Sequence, residues 1–305
     1  MKRRAILIAG PTASGKSGAA IGIARACGGV IVNADSMQVY RQLSVLTSRP
    51  GAEHERQADH ELYGHVDARA AYSTGQWLQE AGAVLQNIWA AGRVAVITGG
   101  TGLYFKALDE GLARVPAIAP EIREKWRARL ANDGPRRLHE ELALRDGCEA
   151  ARLQPGDGQR IVRALEVLEQ TGKPLAQFHG GPGGGGLPGG VAVARYVIQP
   201  AREVLYERID RRFGEMMEAG ALEEVMALRA LGIDAGMPVM KAIGVKALGG
   251  YLDGRWRLAE AEDMARRQTR NYAKRQMTWA RGQMAHWHVA GSADELASAC
   301  RSLPA

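Results

Sequence analysis

Apolar residues in this chain come in short, evenly spread runs, not in one long block. Ala5-Ile6-Leu7-Ile8-Ala9, Val30-Ile31-Val32 and Val94-Ala95-Val96-Ile97 are the clearest, and a fourth extends from Val191 to Ile198. Runs of that length, closed by Gly, Asn or Thr, predict strands buried on both faces of a parallel sheet. Ser17 to Ala26 reads as the helix behind the first strand, and the alternation predicts an α/β core. From about Pro116 the pattern changes. Pro120 opens a helix in which Ile122, Trp126 and Leu130 recur every four residues. A second helix is expected from about Asp157 to Thr171, with Ile161, Val162, Leu165 and Leu168 apolar and Gly172 and Pro174 as its stop. The Gly-rich stretch 179–190 cannot pack a core and reads as a connector. The expected organisation is a core from residues 1–115 and 195–305, interrupted by a helical insertion domain at 116–194.

Composition narrows the setting. The 305 residues suffice for one large domain carrying an insertion. Cys27, Cys148 and Cys300 form no C-x-x-C pair, which argues against a zinc site or disulfide frame and for a reducing, cytoplasmic compartment. No apolar run approaches the ~18 residues of a membrane span, so no membrane association is expected. The basic start Met1-Lys2-Arg3-Arg4 leads into a first strand, not a signal peptide. A formal charge of +7 favours a polyanionic partner. That charge is concentrated late: between Arg255 and Arg281 there are eight Lys or Arg against three acids. Arg267, Arg270, Lys274 and Arg281 share one helical face, as a phosphate-contacting surface would require.

The most specific chemistry lies at the first strand's end. Gly10-Pro11-Thr12-Ala13-Ser14-Gly15-Lys16-Ser17 fits the phosphate-loop pattern G-x-x-x-x-G-K-[ST] between a strand and a helix. Such a loop turns backbone N–H groups toward a polyphosphate at a helix N-terminus. Lys16 adds charge, and the Ser17 hydroxyl is placed to join a magnesium shell. The fold class expected is therefore a P-loop NTPase-like parallel sheet flanked by helices, with a helical insertion and a helical basic C-terminal region. The second strand ends in Asn33-Ala34-Asp35-Ser36, and ligand-contacting residues cluster at the carboxyl ends of parallel strands. The third ends in Thr98-Gly99-Gly100-Thr101 without the carboxylate by which nucleotide-hydrolysing loop proteins hold magnesium. That counts against a motor or switch ATPase.

Five segments in order resemble the tRNA dimethylallyltransferases, also called tRNA isopentenyltransferases. They are the loop, Asn33 to Arg41, Gly99 to Tyr104, Asp157 to Val167 and Thr269 to Trp279. The resemblance implies transfer of a dimethylallyl group from dimethylallyl diphosphate to N6 of the adenosine next to the anticodon. It implies Mg2+ and the tRNA anticodon arm as partner; a monomer is expected, although the sequence does not itself reveal the oligomeric state. In that scheme Asp35 accepts the N6 proton, Lys16 and the loop hold the diphosphate, and Thr101 sits at the edge of both. Asp35, Ser36, Met37 and Gln38 would surround the flipped base. Arg208 and Arg212 are alternatives for an arginine facing the diphosphate. Arg123 and Gln159, Arg160, Ile161, Val162 and Arg163 would touch tRNA from the insertion. Lys241, Ala242, Ile243, Gly244, Val245 and Lys246 would do so from the C-terminal side, with Arg270 and Lys274. The chain departs from the family's usual pattern at Arg49, where Lys is usual, and at Val245, where Tyr is usual; the usual His-His pair is reduced to His60. Rival expectations are a small-molecule P-loop kinase, an enzyme prenylating free adenine nucleotide, and a non-catalytic tRNA-binding protein.

Overall fold

The computed structural model of the protein describes residues 2–178 and 184–296. Residues 179–183 of the expected connector, and Cys300, lie outside them. In chain order the main elements begin with β1 (Arg4–Ala9), α1 (Lys16–Cys27), β2 (Val30–Asn33), α2 (Ala52–Glu55), β3 (Asp59–Glu61), α3 (Thr74–Ala90), β4 (Ala95–Gly99) and α4 (Gly102–Glu110). They continue with α5 (Pro120–Arg145), α6 (Gly147–Arg152), α7 (Gly158–Thr171), β5 (Ala192–Ile198), α8 (Arg202–Glu218), α9 (Ala221–Ala230), α10 (Val245–Leu252), α11 (Leu258–Gln283) and β6 (His288–Ala290). Among the described residues no helix is long and apolar enough to cross a membrane.

Among the described residues six strands form one parallel sheet in the order β3-β2-β4-β1-β5-β6. The four predicted runs are its four inner strands. Residues 4–9, 30–33 and 95–99 are almost wholly buried because helices cover both faces. Ile21, Ile23 and Ala24 of α1 pack on Ile6, Ile8, Ile31 and Val96. On β2's side, Trp77 of α3 stacks on Tyr104 of α4 with ring centroids 4.0 Å apart. The edge strands β3 and β6 were not expected. They have three residues each, and Asp59-His60-Glu61 carries no apolar signal at all.

Register brings three turns to one edge. Ala9 pairs with Gly99 and Asn33 with Thr98, so the phosphate loop, the Asp35 turn and the Gly100-Thr101 turn all leave the sheet side by side.

The chain divides into two compact units, Met1–Asp109 with Leu187–Ala305, and Glu110–Gly186. The inserted unit thus starts and ends earlier than the expected 116–194. Its end is early because Leu187 N–H donates to Leu108 O (2.7 Å) and Ala192 N–H to Arg3 O (2.9 Å), which returns residues 187–194 to the sheet. Within the inserted unit, α5 is broken at Gly134 ahead of Pro135. Its helices pack around Trp126, Leu138, Leu142, Ile161 and Leu165, and the Trp126 indole donates to Glu169 Oε2 at 2.9 Å.

Candidate active site

The phosphate loop is held open by two left-handed residues, Ala13 (φ 63°) and Gly15 (φ 89°). Gly15 is the N-cap of α1, where a residue without Cβ takes that conformation at no steric cost. The loop's backbone closes through Ser14 N–H to Pro11 O (3.3 Å). Ser17 is exposed in the first turn of α1. Lys16 Nζ donates to Pro11 O at 3.3 Å. Desolvation pulls its ammonium down to a pKa of about 8; the Asp35 charge works against that fall and the Arg212 charge adds to it.

Arg212 arrives from α8 and donates from Nη2 to Thr12 Oγ1 at 3.1 Å. Burial lowers its pKa from the usual guanidinium value, opposed by Asp35 and Glu215. Arg208, one helical turn earlier, makes no hydrogen bond to the loop. Of the two arginines it is Arg212 that touches the loop.

The Asp35 turn is built by Asn33, which is fully buried. Asn33 Oδ1 accepts from Asp35 N–H (2.8 Å), while Nδ2 donates to Asp35 O and Leu62 O, each at 3.0 Å. Its carbonyl accepts from the Trp77 indole at 2.8 Å. Asp35 Oδ1 accepts from Met37 N–H at 3.0 Å, which turns Oδ2 toward Gly100. Thr101 is fastened to the same turn: Oγ1 accepts from Ser36 N–H (2.9 Å) and lies 3.3 Å from Ser36 Oγ, and Thr101 N–H donates to Ala34 O (3.1 Å). Tyr272 of α11 covers this cluster. Its phenol is pushed well above its usual pKa by burial and by Asp35, against the pull of hydrogen bonds to Thr101 and Gln276.

Two cavities meet here. One of about 240 Å³ has Thr12, Asp35 and Arg212 as its polar end, with Ile209, Phe213, Met216 and Leu46 as an apolar wall. The other, about 320 Å³, is lined by Gly99 to Leu103, Phe105, Gln276 and Trp279. Ser36, Tyr272 and Arg275 border both. Among the described residues no group of three or more His, Cys, Asp or Glu could hold a metal ion. A donor that the loop would offer a cation is the Ser17 hydroxyl, exposed in the first turn of α1, beside the oxygens of a bound polyphosphate. That fits Mg2+, which keeps several waters and borrows phosphate oxygens.

Other expected contacts separate into two groups. Met37, Lys241 and Ile243 line the first cavity. Arg123, Gln159, Arg160, Lys246 and Lys274 are exposed, although Arg160 also lies 3.3 Å from Asp157, and Arg163 lies 3.6 Å from Glu166. The rest are placed elsewhere. The side chains of Ile161 and Val162 belong to the core of the inserted unit, and those of Ala242 and Val245 to a core shared with Val225 and Leu248. Burial removes these four side chains from the expected RNA contacts. Val245, where an aromatic residue is usual, fills that core. Gly244 (φ 96°) offers no side chain. Arg270 pairs with Asp210 of α8 at 3.2 and 2.9 Å, so it ties two helices together and leaves Arg267, Lys274 and Arg281 as the exposed stripe. Gln38 Nε2 donates to Thr47 O (2.8 Å) and Ser48 O (3.2 Å), bracing a neighbouring loop. Arg49 does the same: Nη1 donates to Tyr40 O (3.0 Å) and Arg41 O (3.2 Å). His60 Nδ1 lies 2.8 Å from Ala58 O, a structural histidine on the edge strand.

Asn33, Tyr272, Arg275, Gln276 and Trp279 are site residues that sequence reasoning did not single out. A signal existed for three of them. Tyr272, Gln276 and Trp279 recur at intervals of four and three on α11, on a different face from the basic stripe.

Residues 38–283 match the family described as IPP transferase, and residues 3–64 match the one described as isopentenyl transferase. The chain is 52% identical over 280 residues to a tRNA dimethylallyltransferase of Agrobacterium fabrum, covering 92% of this chain and 94% of that protein. It is 51% identical over 284 residues to one of Methylobacterium nodulans, covering 93% of each. Among solved structures it is similar to the full-length tRNA isopentenylpyrophosphate transferase of Bacillus halodurans (TM-score 0.70, 30% identity, 98% of this chain and 95% of that one). A eukaryotic dimethylallyltransferase described as acting on tRNA is similar at TM-score 0.78 and 26% identity, over 91% of this chain and 70% of that one.

Proposed function

The chain belongs to the IPP transferase family of tRNA dimethylallyltransferases, and we propose that it moves the dimethylallyl group of dimethylallyl diphosphate to N6 of the tRNA adenosine next to the anticodon. The observation that carries this assignment of roles is the convergence of Thr12, Arg212 and Asp35 on one cavity. Transfer breaks the allylic C–O bond, with its electron pair leaving on the diphosphate. It forms a C–N bond from the N6 lone pair, and an N6 proton must go to a base. Asp35, which lines that cavity and has Oδ1 engaged by Met37 N–H, leaves Oδ2 to accept and is that base. Lys16, Arg212 and the loop N–H groups absorb the charge growing on the leaving group. The Ser17 hydroxyl would help hold a Mg2+ ion, which when bound would supply further charge neutralisation at the diphosphate. Thr101 of the second cavity and Ser36, which borders both, are locked to each other and orient the incoming base. The exposed Lys274 and Arg267, with Arg123 and Gln159 on the inserted unit, supply contacts to the tRNA.

The direct test incubates the protein with radiolabelled dimethylallyl diphosphate and either tRNA or AMP. Label should enter tRNA and not AMP; label in AMP alone would assign the enzyme to free nucleotides instead.

Lys16 makes donor binding depend on pH. Its pKa in the free protein is about 8, and a bound diphosphate holds the ammonium form and raises that value. Affinity for dimethylallyl diphosphate is then fully present below pH 8 and is lost as pH rises from there toward the higher pKa of the bound ammonium, by at most about tenfold per unit. Calorimetric titrations from pH 7 to 10 check this. An affinity constant over that range would mean that Lys16 does not meet the diphosphate.

A further inference from the structure

We propose that Gln276 is a positioning residue for prenyl transfer, holding the phosphate loop against the end of β4 through both halves of its side-chain amide. Oε1 accepts from Thr12 N–H at 2.9 Å, and Nε2 donates to Gly100 O at 2.8 Å. The orientation of the amide is forced, because a backbone N–H can only donate and a carbonyl can only accept. Gly100 is glycine for the same reason: a Cβ there would lie 2.2 Å from Nε2. One side chain of α11 thus clasps two of the three turns that build the site.

The clasp acts through Thr12. That residue receives Arg212 on its hydroxyl and Gln276 on its N–H, so its backbone and side chain are fixed from opposite sides. Losing the amide orphans Thr12 N–H and frees the rim of the loop. Arg212 then loses the fixed partner that aims it at the leaving oxygen. Gln276 itself lines the second cavity and not the one holding Thr12, Asp35 and Arg212, so its effect reaches the reaction by geometry. The inference rests on the proposed prenyl transfer.

Two variants test it. Gln276→Met keeps the size and removes both hydrogen bonds. It is expected to raise KM for dimethylallyl diphosphate about tenfold and to lower kcat, with tRNA affinity within about twofold of wild type. Gln276→Glu supplies a titratable copy of the amide. When ionised it can accept from Thr12 N–H but repels Gly100 O; when protonated its O–H donates to Gly100 O and both bonds return. The ratio of variant to wild-type kcat/KM should therefore climb several-fold between pH 8 and pH 5.5. A Gln276→Met enzyme with wild-type KM and kcat, or a Gln276→Glu ratio flat with pH, would overturn the proposal. If Gln276→Met shows no cooperative melt, the Gln276→Glu ratio decides alone. Wild-type protein that transfers no label to tRNA would instead refute the prenyl-transfer assignment itself, so the two failures are distinct.

Discussion

Asp35→Asn is expected to cut prenyl transfer to tRNA by a factor of about a hundred to ten thousand while leaving tRNA affinity within about twofold. Asn is the right substitute because the turn does not depend on charge. Its amide oxygen can still accept from Met37 N–H, and Asn33 continues to hold the backbone of residue 35 on both sides. What changes is the second oxygen. An NH2 group there faces the adenine amine donor to donor and cannot take its proton. A secondary signature separates this loss from misfolding. Asp35 raises the pKa of Lys16, so removing its charge should move the fall in donor affinity to a pH below 8. Single-turnover rates, tRNA binding and the donor pH profile together check the prediction. Turnover near the wild-type rate would rule Asp35 out as the base.

The positions that could be read from the sequence share one property: their place in the fold is decided locally or by strand order. The four inner strands announced themselves because burial on both faces demands unbroken apolar runs. The loop, Asp35 and Thr101 followed because each sits within a few residues of such a strand's end. Edge strands escaped for the opposite reason, since β3 is polar and pairs on only one side. Arg208 and Arg212 were indistinguishable until α8 had a neighbour, because two residues one turn apart differ only in what packs beside them. Arg270 looked like one of four stripe residues, but its partner Asp210 lies 60 residues away. Gln276 was hidden most deeply. Its two contacts span 264 and 176 residues, and a glutamine on a basic helix carries no local mark of either. Ile161 and Val162 illustrate the converse, where a motif range swept core positions in with exposed ones.

Arg212→Ala is expected to lower kcat by about a hundred- to a thousandfold, the cost of removing one preorganised donor to developing negative charge. Three observations set that size. Arg212 touches Thr12 Oγ1, it shares a cavity with Asp35, and it is desolvated enough to depress its pKa. A guanidinium remains charged under those conditions, so its charge acts at short range and little screened by water. Its effect on donor binding should be smaller than its effect on turnover. In the free protein Arg212 and Lys16 repel each other, and Arg212 lowers the Lys16 pKa. Deleting Arg212 relieves that repulsion and moves the fall in donor affinity to a pH above 8, the opposite direction from Asp35→Asn. Arg212→Lys should recover only part of the rate, since a point charge lacks the fork that reaches both Thr12 and the leaving oxygen. Arg208→Ala, one turn away, should stay within about threefold of wild type. Measuring kcat, donor KM and the donor pH profile for all three variants distinguishes the roles. A Lys variant as fast as wild type, or equal losses from Arg208→Ala and Arg212→Ala, would show that general positive charge on α8, and not a directed contact from Arg212, serves the leaving group.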